Sequence, residues 1–450
     1  MTDRAQQTII AAVTVLLALV YLLGTGYSSG LSKPLVQGDA RSYFAYLPSI
    51  VLDGDLDLTN QFEVLRPEGG DPRYPFGVGA NGYAANPFPI GPALLWLPGY
   101  LVGLGLDTAA DAMGWDTGTP GYGLFAAWGA ALSAILLVGV GAELSRRLAR
   151  DIVGLRYALP ATMLVWFGTP ALYYSMIAPL YSHAVAWFAA ALVVWLGWLA
   201  SRASRASPTS PASQGSEATW LWFVTGVAGG LLVSIRLQDA PVLLVPIGLA
   251  VLAATGAPVL ARSAAAMIGG GVVGYLPQAY TWFALHGEII PRQGLGEPGA
   301  FSLSRLAAIL FSTGYEGWLS WTPLAAAALI GLWLIGRGPF PTAERNVALA
   351  ALAAAVALVV IDVIHPYGQG AAFGARRYVT LTPCLILGIG GALAWYADKP
   401  RLQRAGPLFI AVLALANLWL LVAYELLVLR HGVYGNLSTT WRYALGLWSG

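Results

Sequence analysis

Charge is scarce in this sequence: 10% of its 450 residues are Asp, Glu, Lys or Arg, and lysine occurs only at Lys33 and Lys399. Cysteine occurs once, at Cys384, which excludes an intramolecular disulfide. The net charge of +2 comes without any basic block, so nothing marks a nucleic-acid surface. HExxH, CxxC and comparable ligand spacings are missing, and with them any legible metal site. Missing too is the apolar–polar alternation of a transmembrane barrel.

What is abundant is apolar length. Hydrophobic residues make up 57% of the chain, and the mean hydropathy is +0.65. Apolar runs of about 20 residues, the length a bilayer core requires, recur from 8–27 to 405–429. They predict an all-α polytopic membrane protein, a single integral membrane domain over 1–450. The first run, "TIIAAVTVLLALVYLLGTGYSSG", is too long for a cleaved signal and reads as a retained span. Four connecting segments carry Arg or Lys: 145–150, 201–218, 336–345 and 398–404. The positive-inside rule places all four in the cytoplasm. That requires the segment "NPFPIGPALLWLPGYLVGLGL" (86–106) not to cross, which suits its prolines, since proline removes a backbone donor and breaks helices. The expected topology is therefore about 11 spans, or about 12 if 86–106 crosses, with the N-terminus cytoplasmic. Segments 28–118, 286–315 and 365–377 are then extracytoplasmic, and 201–217 is a cytoplasmic linker.

The acid of this acid-poor chain gathers in the first of those loops. In "GDARSYFAYLPSIVLDGDLDL" (38–58), Asp39, Asp53, Asp55 and Asp57 lie close together. Tyr43, Leu47, Ile50 and Val51 recur at helical spacing and predict a short amphipathic helix on the membrane surface, limited by Pro48. Asp39 stands where that helix's N-cap would be, so capping is its plain structural role. "DGDLD" lacks the glycine and glutamate of a calcium loop, and no nucleotide-binding domain accompanies it. A solvated turn is what remains.

The same stretch resembles the first extracytoplasmic loop of the GT-C membrane glycosyltransferases, which include bacterial protein O-mannosyltransferases and aminoarabinose transferases. That family has an aspartate just after the first span, a tyrosine one helical turn later and a Gly-Asp pair further on. Asp39, Tyr43 and Gly54-Asp55 stand at those positions. Ala40 replaces a frequent second acid, and Asn86 stands where the family often has lysine before a proline-led segment. "TPALYYSMIAPLYSHAVAWFAAAL", "GGLLVSIRLQDAPVLLVP" and "FGARRYVTLTPCLILGIG" are similar to later family segments, in the same order.

The resemblance implies a GT-C-like fold with juxtamembrane helices in its first loop, in the cytoplasmic membrane. It implies a polyprenyl-phosphate-linked sugar donor and a glycan, lipid or protein acceptor, with inverting transfer to a hydroxyl at the extracytoplasmic face. Asp39 is then the general base. Arg376, Arg377, Arg236 and Arg41 are candidates for the donor phosphate, whose growing charge suits a guanidinium fork. Tyr43, Asp55, His183, Tyr181, His365, Tyr367 and Glu288 are candidates for sugar or acceptor. Each has a structural alternative: interfacial anchoring for Arg376 and Arg377, an ion pair with Asp239 for Arg236, an aromatic belt for the tyrosines. A divalent metal ion is conceivable only if folding joins Asp39 and His183. A lipid-glycan flippase or transporter is the alternative function. Against it stand the lack of an internal repeat and the clustering of ionisable residues at span ends. A glycan ligase or polymerase would carry its large loop late in the chain; here it comes first.

Overall fold

The computed structural model describes residues 1–28, 35–65, 77–80, 82–205, 211–290, 299–365 and 372–448, leaving aside the side chains of 25–28 and 211–215. Among the described residues the secondary structure is helical, apart from one isolated bridge between Val78 and Ala84. The main helices are α1 (Asp3–Ser28), α2 (Asp39–Phe44), α3 (Gly91–Ala112), α4 (Leu124–Val153), α5 (Leu155–Phe167), α6 (Ser182–Arg205) and α7 (Pro211–Ile235). After them come α8 (Leu244–Ala253), α9 (Ala257–His286), α10 (Pro323–Arg337), α11 (Thr342–Ile364), α12 (Thr382–Ala397) and α13 (Ala405–His431). Nine helices among the described residues are long and apolar enough to cross a membrane, and two shorter apolar ones accompany them. The chain is an integral membrane protein.

Ion pairs show which helix ends share a side. Asp3, at the start of α1, pairs with Arg146 and Arg150 near the end of α4. Asp151, one residue further on, takes Arg202 from the end of α6. The start of α6 and the end of α7 therefore lie at the opposite end of the bundle.

Helix α3 is long enough to cross, yet both its ends lie away from Asp3. Its first residue, Gly91, packs on the backbone of Ser234 and Ile235, where α7 finishes. Its last turns meet the start of α4, where Asp107 accepts from the backbone N–H groups of Phe125 (3.0 Å) and Ala126 (2.8 Å). A helix start leaves such donors open, and a buried carboxylate there satisfies both charge and hydrogen bonds. Gly99 lies directly on the carbonyl of Gly129, a contact that admits no Cβ. Helix α3 and the first half of α4 thus form a hairpin.

The segment after Asp39 is more deeply buried than its periodicity predicts. Tyr43 is 4% exposed, and Phe44 and Tyr46 are fully buried; only Ile50 and Leu52 face outward among its large apolar residues. The cause is α3 and the strands of chain around it. Phe88 and Trp96 meet Tyr43 edge-on, while Tyr100 and Tyr122 pack on Phe44. Aromatic burial on two sides holds the loop onto the bundle, at about 2 kcal/mol or more per ring.

Candidate active site

Gly38 sets the geometry of Asp39. Its φ of 54° is a left-handed conformation that glycine adopts freely, and a Cβ there would meet the Tyr181 hydroxyl. The turn makes Gly38 the N-cap of α2 and Asp39 its first residue, with no side-chain cap hydrogen bond. The capping role expected for Asp39 is therefore corrected: the chain turns one residue too early for its carboxylate to reach the cap position. Instead Asp39 Oδ2 lies 3.1 Å from Arg376 Nη2, with side-chain exposures of 35% and 18%. The Arg376 guanidinium sits 5.8 Å from the centre of the Tyr181 ring, in range for a cation–π contact.

Behind this pair runs a buried polar chain. Ser182 Oγ donates to the Tyr43 hydroxyl at 2.9 Å, and Arg236 Nη1 donates to Ser182 Oγ at 3.3 Å. The same Nη1 lies 3.4 Å from His183 Nε2. Arg236 Nε is 3.3 Å from Asp239 Oδ2, a carboxylate with no exposed surface. The Arg236–Asp239 pair foreseen as a structural alternative is thus present, and the cluster keeps Arg236 as well. Burial pushes the Tyr43 phenol up to about 12, so it stays an O–H group at any physiological pH.

The next residue along, Arg377, turns to a different partner. It forms an ion pair with Asp362 of α11, whose other oxygen accepts from the Tyr378 hydroxyl at 3.0 Å. Tyr378 in turn stacks on Trp318, ring centres 4.2 Å apart. Arg236, Arg376 and Arg377 all lie within electrostatic reach of His183. That field suits an anion. Asp39 is already held by Arg376 and His183 faces Arg236, so these residues do not fit a divalent cation. The described residues also contain no group of three or more His, Cys, Asp or Glu that could hold one.

Asp39, Tyr43, Tyr181, His183, Arg236 and Arg376 are therefore brought together, with Arg41 half-buried and within electrostatic reach of Tyr181. Asp55 is used elsewhere: Ser49 Oγ (3.2 Å) and the Asp57 N–H (3.1 Å) donate to its carboxylate, closing the turn. Glu288 lies on an exposed turn after α9, and the His365 carbonyl, at the end of α11, accepts from Arg305. Tyr367 lies outside the described residues. The sequence reasoning overlooked Ser182, Tyr174 and Asp362. Tyr174 is fully buried, its ring 4.8 Å from that of His183. Asp362 carried a usable signal, because a lone acid within an apolar span is costly without a partner. Ser182 and Tyr174 carried none.

The described helices form a membrane bundle whose first loop folds back onto the site end. Among solved structures, the crystal structure of ArnT from Cupriavidus metallidurans bound to undecaprenyl phosphate matches it with a TM-score of 0.52 and 16% identity. That match covers 99% of this chain and 76% of the other. The same enzyme in the apo state matches with a TM-score of 0.50 and 16% identity, over 98% and 74%. No protein-family model matches the sequence, and no curated protein does. The likeness is one of fold.

Proposed function

We propose that this protein is a glycosyltransferase that moves a sugar from a polyprenyl-phosphate donor to an acceptor hydroxyl. The observation that carries the proposal is the meeting of Asp39 with Arg376, Arg236 and Tyr43 at one end of a GT-C bundle. Undecaprenyl phosphate bound to the fold's solved neighbour supports a lipid phosphate as the leaving group. The arginine-bearing turns around 145–150 and 202–205 lie at the Asp3 end, so the positive-inside rule puts that end in the cytoplasm and the site outside.

In the proposed reaction the acceptor oxygen attacks the anomeric carbon from the face opposite the phosphate, inverting it. Asp39 takes the hydroxyl proton as the new C–O bond forms. The old C–O bond breaks, and its electron pair stays on the phosphate of the released polyprenyl phosphate. Arg376 meets that charge through two parallel N–H donors, in a site where buried neighbours exclude water. Arg236 adds positive potential from behind, and the Tyr43 hydroxyl is placed to hydrogen-bond the sugar or the phosphate.

The test uses purified protein in lipid nanodiscs with labelled polyprenyl-phosphate sugars and a crude acceptor extract. Release of free polyprenyl phosphate by the native protein and its loss in Asp39→Asn is the expected result. Undiminished release by Asp39→Asn removes the base assignment. No release from any donor by folded protein removes the glycosyltransferase reading and favours transport.

A further inference from the structure

Among the described residues three arginine–aspartate pairs form at the site end, and they differ in how firmly they are closed. Asp239 has no exposed surface and Asp362 only 3%, so neither can be replaced by a ligand arriving from outside. Losing either would strand a buried guanidinium. Asp39 is the open member at 35%. Water can take up its charge if another anion claims its arginine.

Resting on the glycosyltransferase reading above, we propose that the Asp39–Arg376 pair is a resting-state lock which the donor phosphate opens by exchanging places with the carboxylate. While the pair stands, the Asp39 carboxylate is turned to Arg376 at 3.1 Å and Arg376 is not free to bind phosphate. An arriving phosphate group offers more charge and a better match to the guanidinium fork. It takes over Arg376 and leaves Asp39 free beside the acceptor position. The guanidinium does not need Asp39 to stay in place, because Tyr181 supports it through its ring. Binding is therefore ordered, donor before acceptor, and the base becomes active only when a leaving group is present. An acceptor hydroxyl alone meets an occupied carboxylate, which guards against idle proton transfer.

The lock makes a prediction opposite to that of a simple phosphate-binding cluster in which Asp39 only shapes the loop. Removing the carboxylate should tighten lipid-phosphate binding, since the competitor for Arg376 is gone. The experiment titrates undecaprenyl phosphate into native and variant proteins in zwitterionic nanodiscs, following affinity by tyrosine and tryptophan fluorescence. Asp39→Asn, with Asp39→Ser as a second variant in case one folds poorly, is expected to bind about three- to tenfold tighter than the native protein. Arg376→Gln should bind more weakly, and Asp39→Asn combined with Arg376→Gln should match Arg376→Gln alone. Asp55→Asn, which removes a carboxylate from the same loop but not from the pair, should leave the affinity unchanged. Unchanged or weaker binding by both Asp39 variants, with native unfolding temperatures, overturns the lock. So does tightening that persists without Arg376, because loop charge alone would then explain it. Absence of binding by every protein, the native one included, overturns the lipid-phosphate reading and the lock with it.

Discussion

The two ends of the bundle use the same chemistry, arginine against carboxylate, to different effect. Near Asp3 the charges are shared. Arg146, with no exposed surface, meets Asp3 and Glu143 at 2.8 Å each and donates to Gln6 at 3.1 Å. Arg150 joins Asp3 to Asp151, and Asp151 also takes Arg202. Every acid there serves two arginines, so removing a member disturbs three helices together. At the site end the described ion pairs are Arg236–Asp239, Arg376–Asp39 and Arg377–Asp362, and of these three acids Asp39 faces outward. A shared network is a staple even where an acid is exposed, as Asp3 is at 36%, because each acid keeps a second arginine; a separate pair with an exposed acid is a place where a ligand can compete.

The contrast breaks most sharply at Asp39. Asp39→Asn should lower transfer by about 100-fold or more, the usual worth of a general base, while shifting the unfolding temperature little. An assay of labelled sugar transfer beside a thermal melt reads both. Arg146→Ala should do the reverse, costing about 2 kcal/mol of stability, because Asp3 keeps only Arg150, Glu143 keeps only Arg147 and the fully buried side chain leaves its packing behind. The fraction that remains folded should turn over at the native rate. If that fraction is inactive, the Asp3 end is more than a staple.

Smaller effects sharpen the picture. Arg376→Lys keeps the charge but loses the fork, and should raise the donor KM about tenfold with the acceptor KM unchanged. Gly38→Ala must hold a left-handed φ at a cost of about 1 kcal/mol and push on Tyr181, which carries Arg376. Steady-state kinetics should show a severalfold loss in kcat with a fold close to native by circular dichroism. Asp55→Asn should do least, within about threefold in rate, because its carboxylate serves only the turn around Ser49 and Asp57.

How far the site was legible depended on the kind of residue. Asp39 and Tyr43 stand out in the sequence because acid is rare and their spacing is one helical turn. Arg236 stands out as a cation between two apolar runs. Arg376 and Arg377 are indistinguishable as neighbours in sequence, yet in the short helical turn they begin, one points to Asp39 and the other to Asp362. Backbone geometry separates them, and composition carries no trace of it. Asp55 looked like part of the acidic cluster, but its side chain is satisfied within six residues, which local hydrogen bonding in turns often achieves.

The sequence by itself determined that this chain is a helical membrane protein. Apolar length is a property of each segment alone, and the bilayer demands it locally. It also determined that α1 is followed by a loop rich in acid and aromatics. The tertiary structure alone decided which charges pair, because pairing joins residues such as Asp39 and Arg376 that lie more than three hundred positions apart. It also decided that α3 turns back as a hairpin, through glycine contacts and the Asp107 cap that no hydropathy pattern encodes. Burial and partnership are relations between segments, and only the packed bundle supplies the second segment.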